Sequence, residues 1–149
     1  MKHNKEGKIM GKYERLIDAY ESWDLDSLCD EAYTLSCYLR DNIARRCSNV
    51  RDPLVAALMV GAYFMDADGF SDGDEDELYR RLFKGAPMSE SGFYWLRDYR
   101  EYNWQPWVES YLSSCSSSEL EVALRFGIVI CSADGFVKDS ERRRILRWA

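Results

Sequence analysis

The sequence predicts an all-α protein, a compact bundle of about seven helices with two pseudo-repeated helix–turn–helix halves. Three observations support this fold class. Apolar residues recur at helical spacing through most of the chain, no segment alternates as a half-buried strand does, and one unit with an Ala-Asp-Gly-Phe turn occurs twice, at residues 67–70 and 133–136. We therefore expect a flexible N-terminus over residues 1–10 and a single domain over residues 11–149.

The first half of the chain predicts three helices. The first covers residues 11–21, and the second begins after a capping Asp24 or Asp26 and ends near Cys47. Its apolar stripe consists of Leu28, Ala32, Leu35, Leu39 and Ile43. Asp52 followed by Pro53 is a strong start signal for a third helix over residues 54–66, which is apolar nearly all round and should be buried on most sides.

The second half predicts the remaining helices. One covers residues 72–84, and an aromatic-rich pair between residues 88 and 115 is broken near residues 103–106. Ser118 and Glu121 have the spacing of a capping box for a buried helix over residues 120–132, after a polar hinge at residues 116–118. The last helix is predicted from about Lys138 to Trp148.

The two buried helices superpose when the sequence is shifted by 66 residues. Gly61 and Gly127 then coincide in mid-helix, where glycine costs about 1 kcal/mol relative to alanine, so we expect close helix packing there. Phe70 and Phe136 are expected to fold back onto the apolar face after each turn. The identical pairs are Leu54/Leu120, Ala57/Ala123, Leu58/Leu124, Gly61/Gly127, Ala67/Ala133, Asp68/Asp134, Gly69/Gly135, Phe70/Phe136, Glu75/Glu141 and Arg81/Arg147.

The turn aspartates carry the functional hypothesis, because a carboxylate at a helix C-terminus opposes the helix dipole. Amide hydrogen bonds within the turn would offset that cost, and so would a weakly bound calcium or magnesium ion or a basic partner. The candidate metal ligands are Asp68, Asp72, Asp74, Glu75, Asp134, Asp139 and Glu141. The ligand spacing of an EF-hand fails in both registers, since aromatic residues fall on required ligand positions.

This repeated pattern of an apolar helix, Ala-Asp-Gly, a short loop and a glutamate resembles the TerB-like tellurite-resistance family. The resemblance covers residues 52–84 and 119–149 and implies an all-helical fold, a role in bacterial stress resistance, a metal-binding acidic surface and no enzymatic activity. The matching acids are Asp68 and Glu75 in the first copy, and Asp134 and Glu141 in the second. Lys138 and Ser140 replace the acids of the first copy, which weakens the second site.

A second hypothesis is a protein-interaction adaptor, in which the aromatic residues of segment 93–111 form the binding surface and the acidic turns are purely structural. The alternative for this segment is ordinary packing between short helices. A third hypothesis, a metal-assisted hydrolase using Asp68 and Glu75, also stays open.

Net charge, cysteine content and hydropathy limit which partners and cellular locations are expected. The net charge of -6 argues against a nucleic-acid partner, and the basic cluster of Arg142, Arg143, Arg144 and Arg147 is interpreted as a solvated helix face. The five cysteines form no CxxC pair, which indicates a reducing, cytoplasmic location without disulfides. The longest apolar run, residues 54–65, is shorter than the roughly 20 residues of a membrane span.

Overall fold

The computed structural model describes residues 11–65, 101–133 and 136–149, and within them it is all-helical. Six helices occur in these ranges: α1 (Lys12–Glu21), α2 (Leu25–Arg46), α3 (Pro53–Met65), α4 (Gln105–Ser114), α5 (Ser117–Ser132) and α6 (Asp139–Trp148). The predicted helix over residues 72–84 and the first of the aromatic-rich pair lie outside the described residues, so the predicted total of about seven helices and the repeat stay predictions.

The first two helices follow the sequence signals. Asp24 caps α2, and its side chain accepts a hydrogen bond from the Ser27 N–H at 2.7 Å. This settles the choice between the two capping aspartates. The whole predicted stripe of α2 is buried, which orients the helix with its apolar face against the core.

α3 is the most deeply buried helix of the first half. Asp52 caps it, because its Oδ1 accepts hydrogen bonds from the N–H groups of Leu54 (3.1 Å) and Val55 (3.3 Å). Every residue from Ala56 to Met65 is buried, as an all-round apolar helix requires. The predicted start signal and the predicted burial are both confirmed.

α5 begins earlier than the sequence predicted. Its capping box uses Ser116 and Glu119: the Glu119 carboxylate accepts from the Ser116 N–H at 2.7 Å, and the Ser116 hydroxyl accepts from the Glu119 N–H at 3.3 Å. The predicted pair of Ser118 and Glu121 is wrong, because the sequence repeats the same spacing two residues apart and the earlier copy is used. Glu121 pairs instead with Lys12 and Arg125.

α4 and α6 start close to the predicted positions. Pro106 lies in the first turn of α4, where its missing N–H is harmless, so it belongs to the helix start and not to the preceding break. α6 begins at Asp139 with Lys138 as its N-cap residue, which agrees with the predicted start near Lys138.

The core lies where α2, α3 and α5 pack against one another, while α1 contacts α5 and α4 contacts α3. Gly127 of α5 faces the ring of the fully buried Phe64 so closely that an added Cβ would overlap the ring. The close packing expected at this glycine is confirmed. α3 and α5, the two buried helices that the sequence aligns with each other, are therefore in direct contact.

The turn before α6 differs from the prediction at one side chain. Phe136 is 56% exposed and does not fold back onto the apolar face. Val137 is buried in its place, since the next residue of the turn is the one that points inward. The hydrophobic contact expected of Phe136 is thus made one residue later, by Val137.

All five cysteines are free thiols, and Cys131 is fully buried, as its apolar surroundings in the sequence suggested. Within the part of the chain that the structure describes, no helix has the length and apolarity needed to cross a membrane.

Candidate functional site

Two of the seven predicted metal ligands, Asp139 and Glu141, belong to the described residues. Glu141 is fully buried, and its Oε1 accepts a hydrogen bond from the Lys138 N–H at 2.9 Å. The carboxylate therefore stabilises the first turn of α6, in the manner of the reciprocal half of a capping box. Asp139 is exposed at the first position of the helix, where a negative charge interacts favourably with the helix dipole.

A residue that the sequence did not single out also reaches this turn. The Glu21 carboxylate, at the end of α1, accepts a hydrogen bond from the Val137 N–H at 2.5 Å. No local sequence signal could identify it, because the two residues are 116 positions apart. α1 thus contributes a second carboxylate that holds the loop leading into α6.

Among residues 11–65, 101–133 and 136–149, no group of three or more histidine, cysteine or acidic side chains is arranged to hold a metal ion. The other predicted ligands, Asp68, Asp72, Asp74, Glu75 and Asp134, lie outside these ranges. Glu141 and Glu21 each accept a hydrogen bond from a backbone amide of the second turn.

The aromatic segment contributes to an open groove between α4 and the start of α3. We call this surface the aromatic groove. It consists of two adjoining cavities of about 410 and 440 Å³ that share Val55, Trp104 and Trp107. The first is also lined by Asn49, Val50, Arg51 and Asp52, and the second by Tyr102 and Asn103. Both volumes fall in the usual range of ligand pockets, about 300–1,000 Å³.

Three aromatic rings, those of Trp104, Trp107 and Tyr111, pack in series along the groove wall, and we call them the aromatic ladder. The rings of Trp104 and Trp107 meet edge to face with centroids 5.4 Å apart. Trp107 in turn stacks on Tyr111, with centroids 5.5 Å apart and an interplanar angle of 5°. Since such pairs favour these geometries, the two tryptophans are held in fixed orientations at the surface.

Tyr111, the last ring of the aromatic ladder, is connected to the core by a network of hydrogen-bonded polar side chains. Tyr111 donates a hydrogen bond to Asn42 Oδ1 at 2.6 Å, and Asn42 Nδ2 donates to Glu119 Oε2 at 2.6 Å. Burial raises the pKa of Tyr111, so its hydroxyl stays protonated and can donate. The amide hydrogen bond from Ser116, followed by the one from Asn42, lowers the pKa of Glu119 and keeps it ionised as an acceptor. Arg46 adds an ion pair to Glu119 at 3.3 Å.

The rim of the groove contains an unusual backbone conformation. Asn103, between Tyr102 and Trp104, has φ of 52°, in the left-handed region. Asparagine tolerates this region better than most residues, because its short polar side chain bonds locally. Tyr102 is 69% exposed beside it. Strained positions of this kind cluster at ligand-binding sites.

Sequence reasoning found the aromatic half of this groove and missed the other half. Val55 and Asp52 were assigned only to the start of α3, and their approach to Trp104 and Trp107 is a long-range contact without a local signal. The chain matches no known protein-family profile, no curated protein and no solved structure.

Proposed function

We propose that this chain is a non-enzymatic binding module whose aromatic groove docks a proline-rich segment of a partner protein. The observation that carries the proposal is the groove itself: two adjoining cavities that share a pair of tryptophans, with the rings held from behind by the Tyr111 stack. A rigid aromatic surface loses little conformational entropy on binding.

The chemistry of the lining favours proline. Prolyl rings pack on flat indole and phenol surfaces, and a polyproline II helix is already extended before it binds. No residue that the structure describes accepts a hydrogen bond from the indole N–H of Trp104 or Trp107, so both N–H groups are suited to bond the exposed carbonyls of such a helix. The amides of Asn49 and Asn103 add further polar groups at the rim.

A peptide titration tests the proposal. Decaproline should change the tryptophan fluorescence saturably, while a glycine–serine peptide of equal length should not. Replacing the exposed Tyr102 with alanine should weaken decaproline binding about fivefold, as expected for loss of roughly 1 kcal/mol at an aromatic contact.

The matched control is Tyr33→Ala, because Tyr33 is 56% exposed on α2 and does not line the groove. It should leave binding unchanged within about twofold. A linear, non-saturating response to decaproline, or equal loss in both variants, would overturn the proposal.

A second candidate is a bacterial stress-response protein of TerB-like type that binds a divalent cation or a basic partner at the acidic turns. One observation favours it: Glu21 brings an additional carboxylate to the turn before α6, where Asp139 is exposed. Hard cations prefer such oxygen donors.

A calcium titration followed by NMR tests this second candidate. Shifts at Asp68, Gly69 and Glu75 and at their repeat mates, abolished by Asp68→Asn with Asp134→Asn, would support it. The amide of Val137, held by Glu21, provides a reporter inside the described part of the second turn. An unchanged spectrum at millimolar calcium and magnesium would eliminate the cation, and the decaproline result is independent of it.

A further inference from the structure

One face of α6 forms a basic cavity, which we call the arginine pocket. It is lined by Ser140, Arg143, Arg144 and Arg147 and has a volume of about 250 Å³. These positions recur at three- and four-residue spacing, so they share one side of the helix. Arg142 is directed elsewhere, toward Asp18 of α1 at 3.8 Å. The basic cluster of the sequence is therefore divided, and most of it converges on one concave site.

Arg144 is fixed in the pocket by Tyr63 of α3. Its Nη1 donates a hydrogen bond to the Tyr63 carbonyl oxygen at 2.6 Å, and its guanidinium lies 4.5 Å from the centre of the Tyr63 ring. The carbonyl belongs to the last described turn of α3, near the C-terminal end of the helix dipole, which favours a cation. The remaining N–H groups of this held guanidinium are left for another acceptor.

Arg147 is held by the same tyrosine. Its Nη2 donates to the Tyr63 hydroxyl at 2.7 Å and pairs with Glu109 Oε2 at 3.2 Å. Trp148 donates to that hydroxyl as well, from Nε1 at 3.0 Å. Glu109 offsets the charge of Arg147, so the excess positive charge of the pocket comes from Arg144 and Arg143.

Arg143 is an exposed member of the pocket. Its guanidinium makes no hydrogen bond or ion pair with any residue in the described ranges, and the carboxylate of Asp139, one turn earlier on α6, does not pair with it. A free arginine beside a fixed one, with the Ser140 hydroxyl in the first turn of the same helix, gives three groups of donors directed at one small volume.

We propose that the arginine pocket binds a phosphate dianion, either free or carried on a phosphorylated side chain. Guanidinium groups match phosphate oxygens in paired, charge-assisted hydrogen bonds, and Arg144 is already ordered for such a contact. The site is a local positive region on a chain of net charge -6, and it is separate from the aromatic groove and does not depend on it.

Inorganic phosphate, titrated at constant ionic strength against chloride, tests this site by NMR of the Ser140 and Val137 amides and of the arginine side chains. Saturable shifts should appear at Ser140, Arg143 and Arg144. Arg143→Gln should weaken binding about tenfold, the value of roughly 1.4 kcal/mol expected for one charged hydrogen-bonding partner.

Arg142→Gln is the matched control, since it removes the same charge from the neighbouring position without touching the pocket. It should change the affinity less than twofold by any screened, long-range effect. Equal losses in the two variants would mean diffuse attraction to a basic helix and would overturn the site, as would the absence of saturation by about 10 mM phosphate, where even a single-charge contact should be seen.

A second binding experiment distinguishes free phosphate from phosphate carried on a side chain. A short glycine–serine peptide with one phosphoserine is compared with its unphosphorylated form. Binding at least about tenfold tighter than inorganic phosphate, with the same dependence on Arg143, would assign the pocket to phosphorylated chains. Binding no tighter than inorganic phosphate would assign it to the free ion or a small phosphate ester.

Discussion

The two ends of α3 are built for different chemistry. At its start, Asp52 caps the helix and Val55 lines the aromatic groove. At its end, Tyr63 anchors Arg144 and Arg147 of the arginine pocket. The same buried helix thus supports an open apolar surface at one end and a set of fixed positive charges at the other.

The difference shows how one core helix can specify two surfaces. The helix dipole places positive partial charge at the start and negative partial charge at the end. A carboxylate at Asp52 and a guanidinium at Arg144 are the complementary charges. At the groove end the surface presents two tryptophans and an apolar Val55, whereas at the arginine end it presents groups that donate directed hydrogen bonds.

Removing the tyrosine ring should disrupt the arginine end most strongly. Tyr63→Ala deletes a fully buried ring and should cost about 4 kcal/mol of unfolding free energy, measured by urea denaturation. Tyr63→Phe keeps the ring and should cost about 1–2 kcal/mol, because Arg147, Trp148 and Glu109 lose their common partner.

Tyr33→Ala on the exposed face of α2 controls for tyrosine loss and should fall within about 0.5 kcal/mol of the parent. If Tyr63→Phe is equally neutral, the hydroxyl network does not stabilise the arginine end, and the pocket lacks the rigidity attributed to it.

The substitution Gly127→Ala adds one methyl group on α5 and tests the packing near the C-terminal end of α3. The new Cβ would press on the Phe64 ring, which contacts Tyr63 edge to face with centroids 5.0 Å apart. We expect overpacking to cost about 3 kcal/mol and the better helix propensity of alanine to return about 1 kcal/mol. The free energy of unfolding of Gly127→Ala should therefore be about 2 kcal/mol lower than that of the parent protein.

The indole signal of Trp148 should move in the NMR spectrum of Gly127→Ala, while that of Trp107 should not. Gly11→Ala is the control, because its Cβ meets only the flexible Glu14 side chain at an ordinary 3.5 Å. A Gly127→Ala protein as stable as Gly11→Ala would contradict the close packing of α3 and α5.

Removing the Asp52 cap at the start of α3 should lower the free energy of unfolding by a smaller amount. Asp52→Ala leaves the N–H groups of Leu54 and Val55 without their acceptor, and we expect a loss of about 1 kcal/mol in urea denaturation. Asp41→Ala removes an exposed carboxylate that pairs only with Arg40 on the surface of α2 and should cost below about 0.5 kcal/mol. Equal effects of the two variants would mean that Asp52 does not cap the helix.

Much of this fold could be predicted because its signals are local. Asp52 with Pro53 and the apolar stripe of α2 each lie within a few residues of the structure they determine. The errors arose where local signals competed. Two serine–glutamate pairs could cap α5, and the choice of Ser116 with Glu119 depends on Asn42 and Arg46 from α2. Phe136 and Val137 compete in the same way for one inward position, and the Val137 N–H is held by Glu21 of α1.

The sites depend on contacts that no local pattern contains. Aromatic density marked the segment that forms the groove, but not its second wall at Val55. The arginine cluster was visible in the sequence as a solvated face, and only the position of Tyr63 shows that Arg144 is fixed and that Arg142 points away. Glu141 was predicted as a ligand from its repeat position, and its burial and amide contact are tertiary properties.

Acidification should act on the groove end of α3 with the smallest effect of this series. The pKa of Glu119 is lowered in the folded protein, so the stability it contributes is present above the ordinary glutamate pKa of 4.5 and is lost as the pH falls through the lower, folded value. Protonation would remove an acceptor from Asn42, which holds Tyr111 at the foot of the aromatic ladder. The indole signal of Trp107 should therefore shift below about pH 4.5. In Glu119→Gln the shift of Trp107 should disappear, whereas Glu121→Gln, on the same helix but outside the network, should retain it. If Trp107 shifts with acid in Glu119→Gln as it does in the parent protein, Glu119 does not act on the groove through Asn42 and Tyr111.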